Sequence, residues 1–368
     1  MRVQMLLTDG FGGFGGISRF NRDFLSALNV CPLVERVYAL PRVISDPSDE
    51  PIPEAVVYER SAARGRISYA LAVIRHVLRR PRVDLVICGH LNLLLLAWIA
   101  AKLGRARLAL VIHGYEAWTP SSRRLSNLMV KRIDAFIAVS QFSAKRFVQW
   151  SGVPRARGFI LPNCVNLDRF QPRQRDPVLA SRYGLRSAIV MLTVGRLATG
   201  EPCKGVDEVI EVMPRLLRQW PDLRYLVVGD GSDRGRLQAK ARAYGLADCI
   251  IFAGRIAEAE KVAHYNLADL YVMPSHGEGF GIAFIEAAAC GIPVVGSSVD
   301  GSRDALLGGQ LGHLVDPTKP DDLIVAIGAA LNARQHRVRN QLVETFGIGQ
   351  FRIRVAEWLR QQADFATA

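Results

Sequence analysis

The chain has 368 residues, of which 49% are hydrophobic and 22% charged, so its apolar content suffices for about two domains with separate cores. Its net charge is +13, and its six cysteines are scattered without metal-ligand spacing, which favours reduced thiols in a cytoplasmic protein. We expect neither export nor membrane insertion, because no signal-peptide pattern precedes the first strand-like segment and the longest apolar run, residues 91–101, is about half a bilayer span.

The first half of the chain alternates strand-like and helix-like segments. Strands are predicted at residues 3–7, 36–40, 83–88, 108–113, 135–140 and 158–161. A glycine-rich loop, residues 8–16, joins the first strand to a helix at 17–28 and leaves room for a ligand to touch the backbone. A dinucleotide-binding fold begins in the same order, but the G-x-G-x-x-G spacing is absent here. A turn without a ligand stays open as an alternative.

Polar side chains follow two of these strands. His113 ends the strand at 108–113, and Tyr115 and Glu116 come directly after it. His90 and Asn92 follow the strand at 83–88. Because ligands of parallel sheets gather at the carboxyl ends of the strands, these residues predict a binding rim, with a purely structural histidine as the alternative.

A second alternation follows a change in composition. Residues 169–186 lose apolar periodicity and gain proline, arginine and aspartate, which predicts a linker. Strands are predicted beyond it at 188–194, 225–228, 250–252, 270–273 and 293–296. The sequence therefore predicts an α/β protein with two Rossmann-like, doubly wound domains, residues 1–168 and 187–350, that face each other across a cleft.

Residues 274–293, PSHGEGFGIAFIEAAACGIP, carry the most specific pattern in the chain. A glycine-rich loop leads from a strand into a helix at 282–290, whose N-terminus presents backbone N–H groups to an anion. Glu278 and Glu286 would repel a bare phosphate, but carboxylates accept hydrogen bonds from sugar hydroxyl groups. The pattern therefore predicts a sugar nucleotide as the ligand.

Cations and glycines stand at the ends of other strands in the second half. Gly195 and Arg196 follow one strand, and Lys204 begins the next helix, so the two cations are placed to clamp a diphosphate. Either cation alone is more often a surface charge. Gly229 lies in another strand-end turn, and the segment 252–256, which contains Arg255 and Ile256, is placed to present backbone to a base.

These motifs together resemble those of the retaining nucleotide-sugar glycosyltransferases of family 4, also described as glycosyl transferases group 1. The resemblance implies a GT-B fold in which a C-terminal helix, at about 351–368, packs back on the acceptor-binding first domain. It also implies a retaining, metal-independent hexosyltransferase that needs no cofactor and uses a UDP- or GDP-sugar. The residues that carry it are Gly15-Gly16, His113, Gly195-Arg196-Leu197, Lys204-Gly205, Gly229-Asp230-Gly231, Phe252-Ala253-Gly254, and Glu278 with Glu286.

The resemblance also implies roles for individual residues. Arg196 and Lys204 would bind the donor diphosphate, Glu278 the donor sugar and Glu286 the ribose hydroxyls. His113 would line the sugar and acceptor region, and it joins Arg196, Lys204 and Glu278 as the catalytic set. The implied donor-binding residues are Gly15, Gly16, Gly195, Arg196, Lys204, Gly229, Arg255, Ile256, Glu278, Gly279, Phe280, Gly281, Ile282 and Glu286. The acceptor residues are His90, Asn92, Tyr115 and Glu116.

Two segments depart from the family pattern. Residues 198–203, ATGEPC, form an unusually long insert between Arg196 and Lys204. Asp304 stands where the family commonly has a glutamate, with Arg303 beside it. No carboxylate is placed to act as a covalent nucleophile, so we favour same-face attack, in which a leaving phosphate oxygen helps to take the acceptor proton. No DxD-type pair stands at a strand end, so we expect no metal.

The positive charge is concentrated in the first half. Residues 1–170 contain 24 Lys and Arg against 12 Asp and Glu, whereas the remainder contains 23 against 22. Without a nucleic-acid-binding motif, this predicts peripheral contact with an anionic membrane at the inner face of the plasma membrane and a lipid-linked saccharide acceptor of polysaccharide synthesis. Solvated helix faces, a nucleic-acid-binding protein, a sugar phosphorylase and a GT-B epimerase or hydrolase remain as alternatives. Many of the basic residues lie in helix-like segments: Arg75, Arg79, Arg80, Arg82, Arg123, Arg124, Lys131, Arg132, Lys145 and Arg146.

Overall fold

The fold is given by a computed structural model that describes residues 1–13, 15–45, 51–78, 82–200, 204–332 and 339–367. Several positions discussed above lie outside these ranges: Phe14, Arg79, Arg80, Ala368 and the end of the insert, Glu201, Pro202 and Cys203.

Thirteen strands are present among the described residues. They are β1 (Arg2–Leu7), β2 (Arg36–Pro41), β3 (Val56–Tyr58), β4 (Leu85–Cys88), β5 (Arg107–Ile112), β6 (Ala135–Ala138), β7 (Gly158–Ile160), β8 (Ile189–Val194), β9 (Leu223–Val228), β10 (Ile250–Gly254), β11 (Leu270–Met273), β12 (Val294–Ser297) and β13 (His313–Val315). The sequence predicts eleven of them and misses β3 and β13, which are three residues long and too short to show periodicity.

Fourteen α-helices accompany the strands in the described ranges. They are α1 (Gly16–Asn29), α2 (Arg66–Leu78), α3 (Leu94–Gly104), α4 (Arg124–Val130), α5 (Gln141–Ser151), α6 (Pro177–Arg182), α7 (Val206–Gln219), α8 (Arg234–Ala243), α9 (Lys261–Tyr265), α10 (Ile282–Ala289), α11 (Ser302–Ala305), α12 (Pro320–Asn332), α13 (Arg339–Phe346) and α14 (Ile348–Thr367). None of them is both long and apolar enough to span a bilayer.

The chain divides into two compact units. The first contains Met1–Cys164 and Ile348–Ala368, and the second contains Val165–Gly347. The segment 169–186, for which composition predicts a linker, lies inside the second unit. It forms α6 and buries Phe170, Leu179 and Leu185, because its sparse apolar residues still reach a core.

Each unit is built on one parallel sheet. The strand order is β3-β2-β1-β4-β5-β6-β7 in the first unit and β10-β9-β8-β11-β12-β13 in the second. In both sheets the first strand of the unit lies inside the sheet and the chain winds outward in two directions. The predicted α/β class with two Rossmann-like sheets is therefore confirmed.

The C-terminal helix α14 belongs to the first unit, although it follows the second in sequence. It packs on α1 through aromatic side chains. Phe351 meets Phe20 edge-on with the ring centroids 5.9 Å apart, and Trp358 lies 6.0 Å from Phe24. All four rings are buried, so α14 completes one layer of this unit.

Candidate active site

The loop that contains Glu278 is held in place by a buried carboxylate from the next strand connection. Oδ2 of Asp300 accepts hydrogen bonds from the Ser275 hydroxyl and from the Glu278 backbone N–H, both at 2.7 Å. Burial raises the pKa of Asp300, and these hydrogen bonds oppose the rise. The sequence pattern singles out Asp304 and not Asp300. The position of Asp300 just beyond β12 is the only feature in the sequence that indicates its role.

Glycines allow the backbone of this loop to pack closely. A Cβ at Gly301 would lie 2.1 Å from the Gly279 carbonyl oxygen, so no other residue fits without a shift. Gly281 has a φ of 90° and begins α10. The Phe280 side chain is buried against Phe346, with ring centroids 5.4 Å apart. Only the Phe280 backbone is therefore left to contribute to an anion site.

Lys204 and Glu278 meet although 73 residues separate them in the chain. Lys204 Nζ lies 2.5 Å from Glu278 Oε2, and the two side chains are 24% and 18% exposed. The aliphatic part of Lys204 lies over Gly195, where a Cβ would be 3.4 Å from the lysine Cγ. Gly205, with a φ of 77°, lets the start of α7 approach the Pro274 carbonyl. The structure thus brings together three of the predicted donor-binding residues.

Arg196 is exposed and lines a cavity of about 300 Å³ together with Lys204. Asp207, on the same cavity, forms ion pairs with Arg236 at 2.6 Å and with Lys240 at 2.7 Å. The hydrogen bonds from Arg236 lower the pKa of Asp207 to about 2, so this carboxylate stays ionised and paired. The two predicted cations therefore line one recess, in which three basic side chains stand against the two acidic ones of Asp207 and Asp233.

Glu286 lies in α10 and is 2% exposed. Its Oε1 accepts a hydrogen bond from Lys261 Nζ at 2.9 Å, and its Oε2 accepts one from the Tyr265 hydroxyl at 2.8 Å. Burial, followed by the charge of Glu286, raises the pKa of Tyr265, which keeps its hydroxyl as a donor. The sequence predicts Glu286 and misses Lys261 and Tyr265, because contacts from α9 to α10 leave no periodic signal.

The remaining predicted donor-side residues lie along the same edge of the second sheet. A Cβ at Gly229 would lie 1.8 Å from the Gly195 carbonyl, so this turn requires glycine. Arg255 is exposed and Ile256 is half-buried after β10. Since β10 is three strands from β11, these two residues lie about 14 Å along the sheet from the Glu278 loop.

In the first unit, the glycine-rich loop after β1 is fixed by polar side chains. Oδ1 of Asp9 accepts hydrogen bonds from the N–H groups of Gly10 and Gly12 at 2.6 and 3.1 Å. Arg22 Nη1 donates to the Gly10 carbonyl at 2.9 Å. Gly15 has a φ of 103° and, with Gly16, is exposed at the start of α1. Residues 9–12 of the loop are thus fixed by hydrogen bonds, and a ligand role for Gly15 and Gly16 stays a prediction.

His113 lies at the carboxyl end of β5. Its Nε2–H donates to the Gly89 carbonyl at 3.0 Å, and its ring meets Phe20 edge-on at 5.1 Å. Glu116 accepts hydrogen bonds from the backbone N–H groups of His113 and Gly114, at 2.6 and 3.1 Å. Glu116 therefore positions the His113 backbone, and the Gly89 carbonyl sets the tautomer of the ring.

His90, Asn92 and Tyr115 lie near the same edge of the first sheet. Nδ1 of His90 accepts a hydrogen bond from the Asn92 backbone at 3.1 Å. The Asn92 side chain is exposed, and Tyr115 is 53% exposed beside Trp118. The structure thus gathers the predicted acceptor residues at one edge, where β4 and β5 are neighbours.

We expect the His113 environment to make stability depend on pH. Burial, aided by His90, lowers the pKa of His113 below its ordinary value of 6.5, against the opposing effects of Glu116 and the Gly89 hydrogen bond. Below about pH 6.5 the unfolded chain binds more protons at this position than the folded chain, so the free energy of unfolding falls as pH falls. Urea denaturation at pH 7.5 and 5.5 measures how far the free energy of unfolding falls between the two pH values. This fall should be smaller in a His113→Gln variant than in the parent. Equal losses in both proteins would contradict this expectation.

No cluster of three or more His, Cys, Asp or Glu side chains able to hold a metal ion occurs within the described ranges. The cations and backbone N–H groups around the Glu278 loop can stabilise negative charge next to carboxylates that accept hydrogen bonds from sugar hydroxyls.

Comparison with protein families gives two adjoining matches. Residues 15–169 match the family model described as Glycosyltransferase Family 4, and residues 185–344 match Glycosyl transferases group 1. The first match ends close to the boundary between the structural units at Cys164 and Val165, and residues 170–184 separate it from the second match.

Two relatives illustrate the similarity in sequence. The GDP-mannose-dependent alpha-(1-6)-phosphatidylinositol monomannoside mannosyltransferase of Mycolicibacterium smegmatis is 34% identical over 253 residues, which cover 65% of this chain and 64% of that protein. The D-inositol 3-phosphate glycosyltransferase of Geodermatophilus obscurus is 35% identical over 216 residues, 56% of this chain and 47% of that protein. The matched region thus spans less than two thirds of the length of either relative.

Solved structures share the fold at lower identity. Anabaena HepE in complex with UDP and glucose has a TM-score of 0.76 at 20% identity, covering 98% of this chain and 100% of that chain. Sucrose-phosphate synthase from Thermosynechococcus elongatus has a TM-score of 0.75 at 19% identity, with both chains fully covered. These likenesses confirm the predicted GT-B fold. The chain therefore belongs to the glycosyltransferases whose first half is described as Glycosyltransferase Family 4 and whose second half is described as Glycosyl transferases group 1.

Proposed function

We propose that this chain is a retaining, metal-independent glycosyltransferase that moves a sugar from a nucleoside diphosphate sugar to an acceptor hydroxyl. The observation that carries the proposal is the 2.5 Å contact between Lys204 and Glu278 at the glycine-rich loop before α10. It places a cation for phosphate and a carboxylate for sugar hydroxyls side by side, as a ligand with both groups requires.

In the proposed reaction, the bond between the anomeric carbon and the diphosphate breaks while an acceptor oxygen attacks from the same face. The leaving phosphate oxygen takes the acceptor proton. Arg196, Lys204 and the N-terminus of α10 stabilise the negative charge that develops on the leaving group. Glu278 holds hydroxyl groups of the donor sugar. Glu286, fixed by Lys261 and Tyr265, accepts from the ribose hydroxyls.

The donor is tested with a panel of UDP-, GDP- and ADP-sugars. GDP-mannose is the first candidate, since the Mycolicibacterium relative is described as GDP-mannose-dependent. We expect saturable binding of one donor and slow hydrolysis in the presence of EDTA, with the same anomeric configuration in donor and product once an acceptor is found. Inversion, or activity that EDTA abolishes and Mg²⁺ restores, would reject the proposed mechanism. Full turnover without any acceptor would favour the epimerase or hydrolase alternative.

The proposed acceptor is a lipid-linked saccharide, in synthesis of a cell-surface polysaccharide at the cytoplasmic face of the membrane. Support comes from the first unit, where α3 packs against both α2 and α4. Leu71 on α2 and Leu128 on α4 are 65% and 62% exposed. Exposed basic residues lie on the same two helices or directly beside them: Arg64, Arg66, Arg75, Arg123, Arg124, Lys131 and Arg132. Apolar side chains among basic ones suit the surface of an anionic bilayer.

We expect a Leu71→Asp/Leu128→Asp double variant to bind vesicles that contain anionic lipid about tenfold more weakly than the parent. Two apolar anchors are lost, and two negative charges face the lipid head groups. Vesicle co-sedimentation at low and high salt measures the change. Val178→Asp, at an exposed apolar position of the second unit, is the matched control and should bind like the parent. Equal binding by the parent and the double variant would remove the membrane contact from the proposal.

A further inference from the structure

One cavity in the first unit lies away from the predicted acceptor residues. It has a volume of about 710 Å³ and opens at the amino ends of β4 to β7, beside the C-terminal part of α14. Its size falls within the range of small-molecule sites. His113 follows the carboxyl end of β5, whereas Arg107 begins that strand and lines the cavity. The two edges are therefore separated by about 20 Å, the length of six residues in a strand.

Four arginines line this cavity: Arg82, Arg105, Arg107 and Arg157. Two aspartates also line it, but each carboxylate is already engaged by a backbone N–H group. Oδ2 of Asp84 accepts from the Arg2 N–H at 2.6 Å, and Oδ2 of Asp134 accepts from the Leu108 N–H at 2.8 Å. The cavity therefore carries an excess of positive charge with guanidinium groups suited to phosphate.

The backbone at Arg105 is unusual for an arginine. Its φ is 53°, in the left-handed region that glycine normally occupies at a helix end. The preceding residue, Gly104, is required for another reason, because a Cβ there would lie 2.6 Å from Val77 Cγ1. Arg105 thus occupies a position where the backbone favours glycine, and it lines the cavity together with three further arginines.

We propose that this cavity binds a phosphorylated small molecule, such as a sugar phosphate or a nucleotide. The arginines hold its phosphate group, and the rest of the cavity takes the remainder of the molecule. Because it lies at the amino edge of the sheet, the site is separate from the donor and acceptor residues. The proposal stands on the cavity alone and does not depend on the proposed function.

Isothermal titration calorimetry with the full chain tests this site, using inorganic phosphate, glucose 1-phosphate and GMP as probes. A Lys204→Ala background weakens binding at the proposed donor site. We expect saturable binding of glucose 1-phosphate or GMP, about tenfold weaker after Arg105→Ala because one charge-assisted contact is lost. Arg36→Ala, at an exposed arginine of the same unit outside the cavity, should leave the affinity for every probe unchanged.

Two outcomes would overturn the proposal. One is the absence of saturable binding for all three probes by a folded protein, which would assign the cavity to water. The other is equal affinity in the parent and the Arg105→Ala variant, with unfolding temperatures that show both to be folded.

Discussion

Replacing Lys204 by alanine is expected to lower kcat/KM for sugar transfer by about 10²- to 10³-fold, the usual cost of removing one group that stabilises a developing negative charge. The variant also loses the partner of Glu278, so the carboxylate that we propose to hold the donor sugar is no longer oriented. Initial rates with the donor identified by the panel measure the effect. Lys204→Arg, which keeps the charge with a different geometry, should recover part of the loss.

Lys240→Ala is the matched control for Lys204→Ala. Lys240 also forms ion pairs in the second unit, with Asp207 and Glu211, but it lies on α8 and not at the Glu278 loop. The transfer rate of the Lys240→Ala variant should stay within about twofold of that of the parent, since ion pairs near the surface contribute little to stability. If Lys204→Ala retained the rate of the Lys240→Ala variant, Lys204 would not be part of the catalytic site.

Replacing Glu286 by alanine is expected to lower the free energy of unfolding by about 3 kcal/mol, because Lys261 and the buried Tyr265 hydroxyl lose their common acceptor. For a unit of this size, that corresponds to a fall in Tm of about 6–12 °C. Donor affinity should fall as well, since the same carboxylate is proposed to hold the ribose hydroxyls. Calorimetric unfolding and donor titration measure the two effects separately.

Two further variants separate these effects of Glu286. Glu286→Gln keeps an acceptor for the Tyr265 hydroxyl, so it should lose less stability than Glu286→Ala. Its affinity for the donor should still be lower than that of the parent. Glu211→Ala removes an exposed acid that pairs with a lysine in the same unit, and it should cost less than about 1 kcal/mol. A Glu286→Ala protein as stable as Glu211→Ala would mean that the buried contacts of Glu286 do not support the fold.

Local patterns were sufficient to predict most of the helices and strands, and they also single out the proposed donor residues at strand ends. Strands such as β8 and β11 are short apolar runs bounded by glycine or proline, which is a signal along the chain itself. The glycines before α10 are readable for the same reason, since positive φ angles and close backbone contacts demand them. The three-residue edge strands gave no comparable signal.

The sequence by itself determined the α/β class, the two parallel sheets and the residue types of the proposed donor site, because periodicity, glycine placement and strand-end charges are local properties. Only the tertiary structure decided that Asp300 fastens the Glu278 loop, that Lys261 and Tyr265 engage Glu286, and that Trp358 of α14 lies beside arginines from the first sheet. The physical reason is that these contacts join segments far apart in the chain. Burial and hydrogen bonding between such segments depend on how helices pack on the sheet, and no repeat along the sequence records that packing.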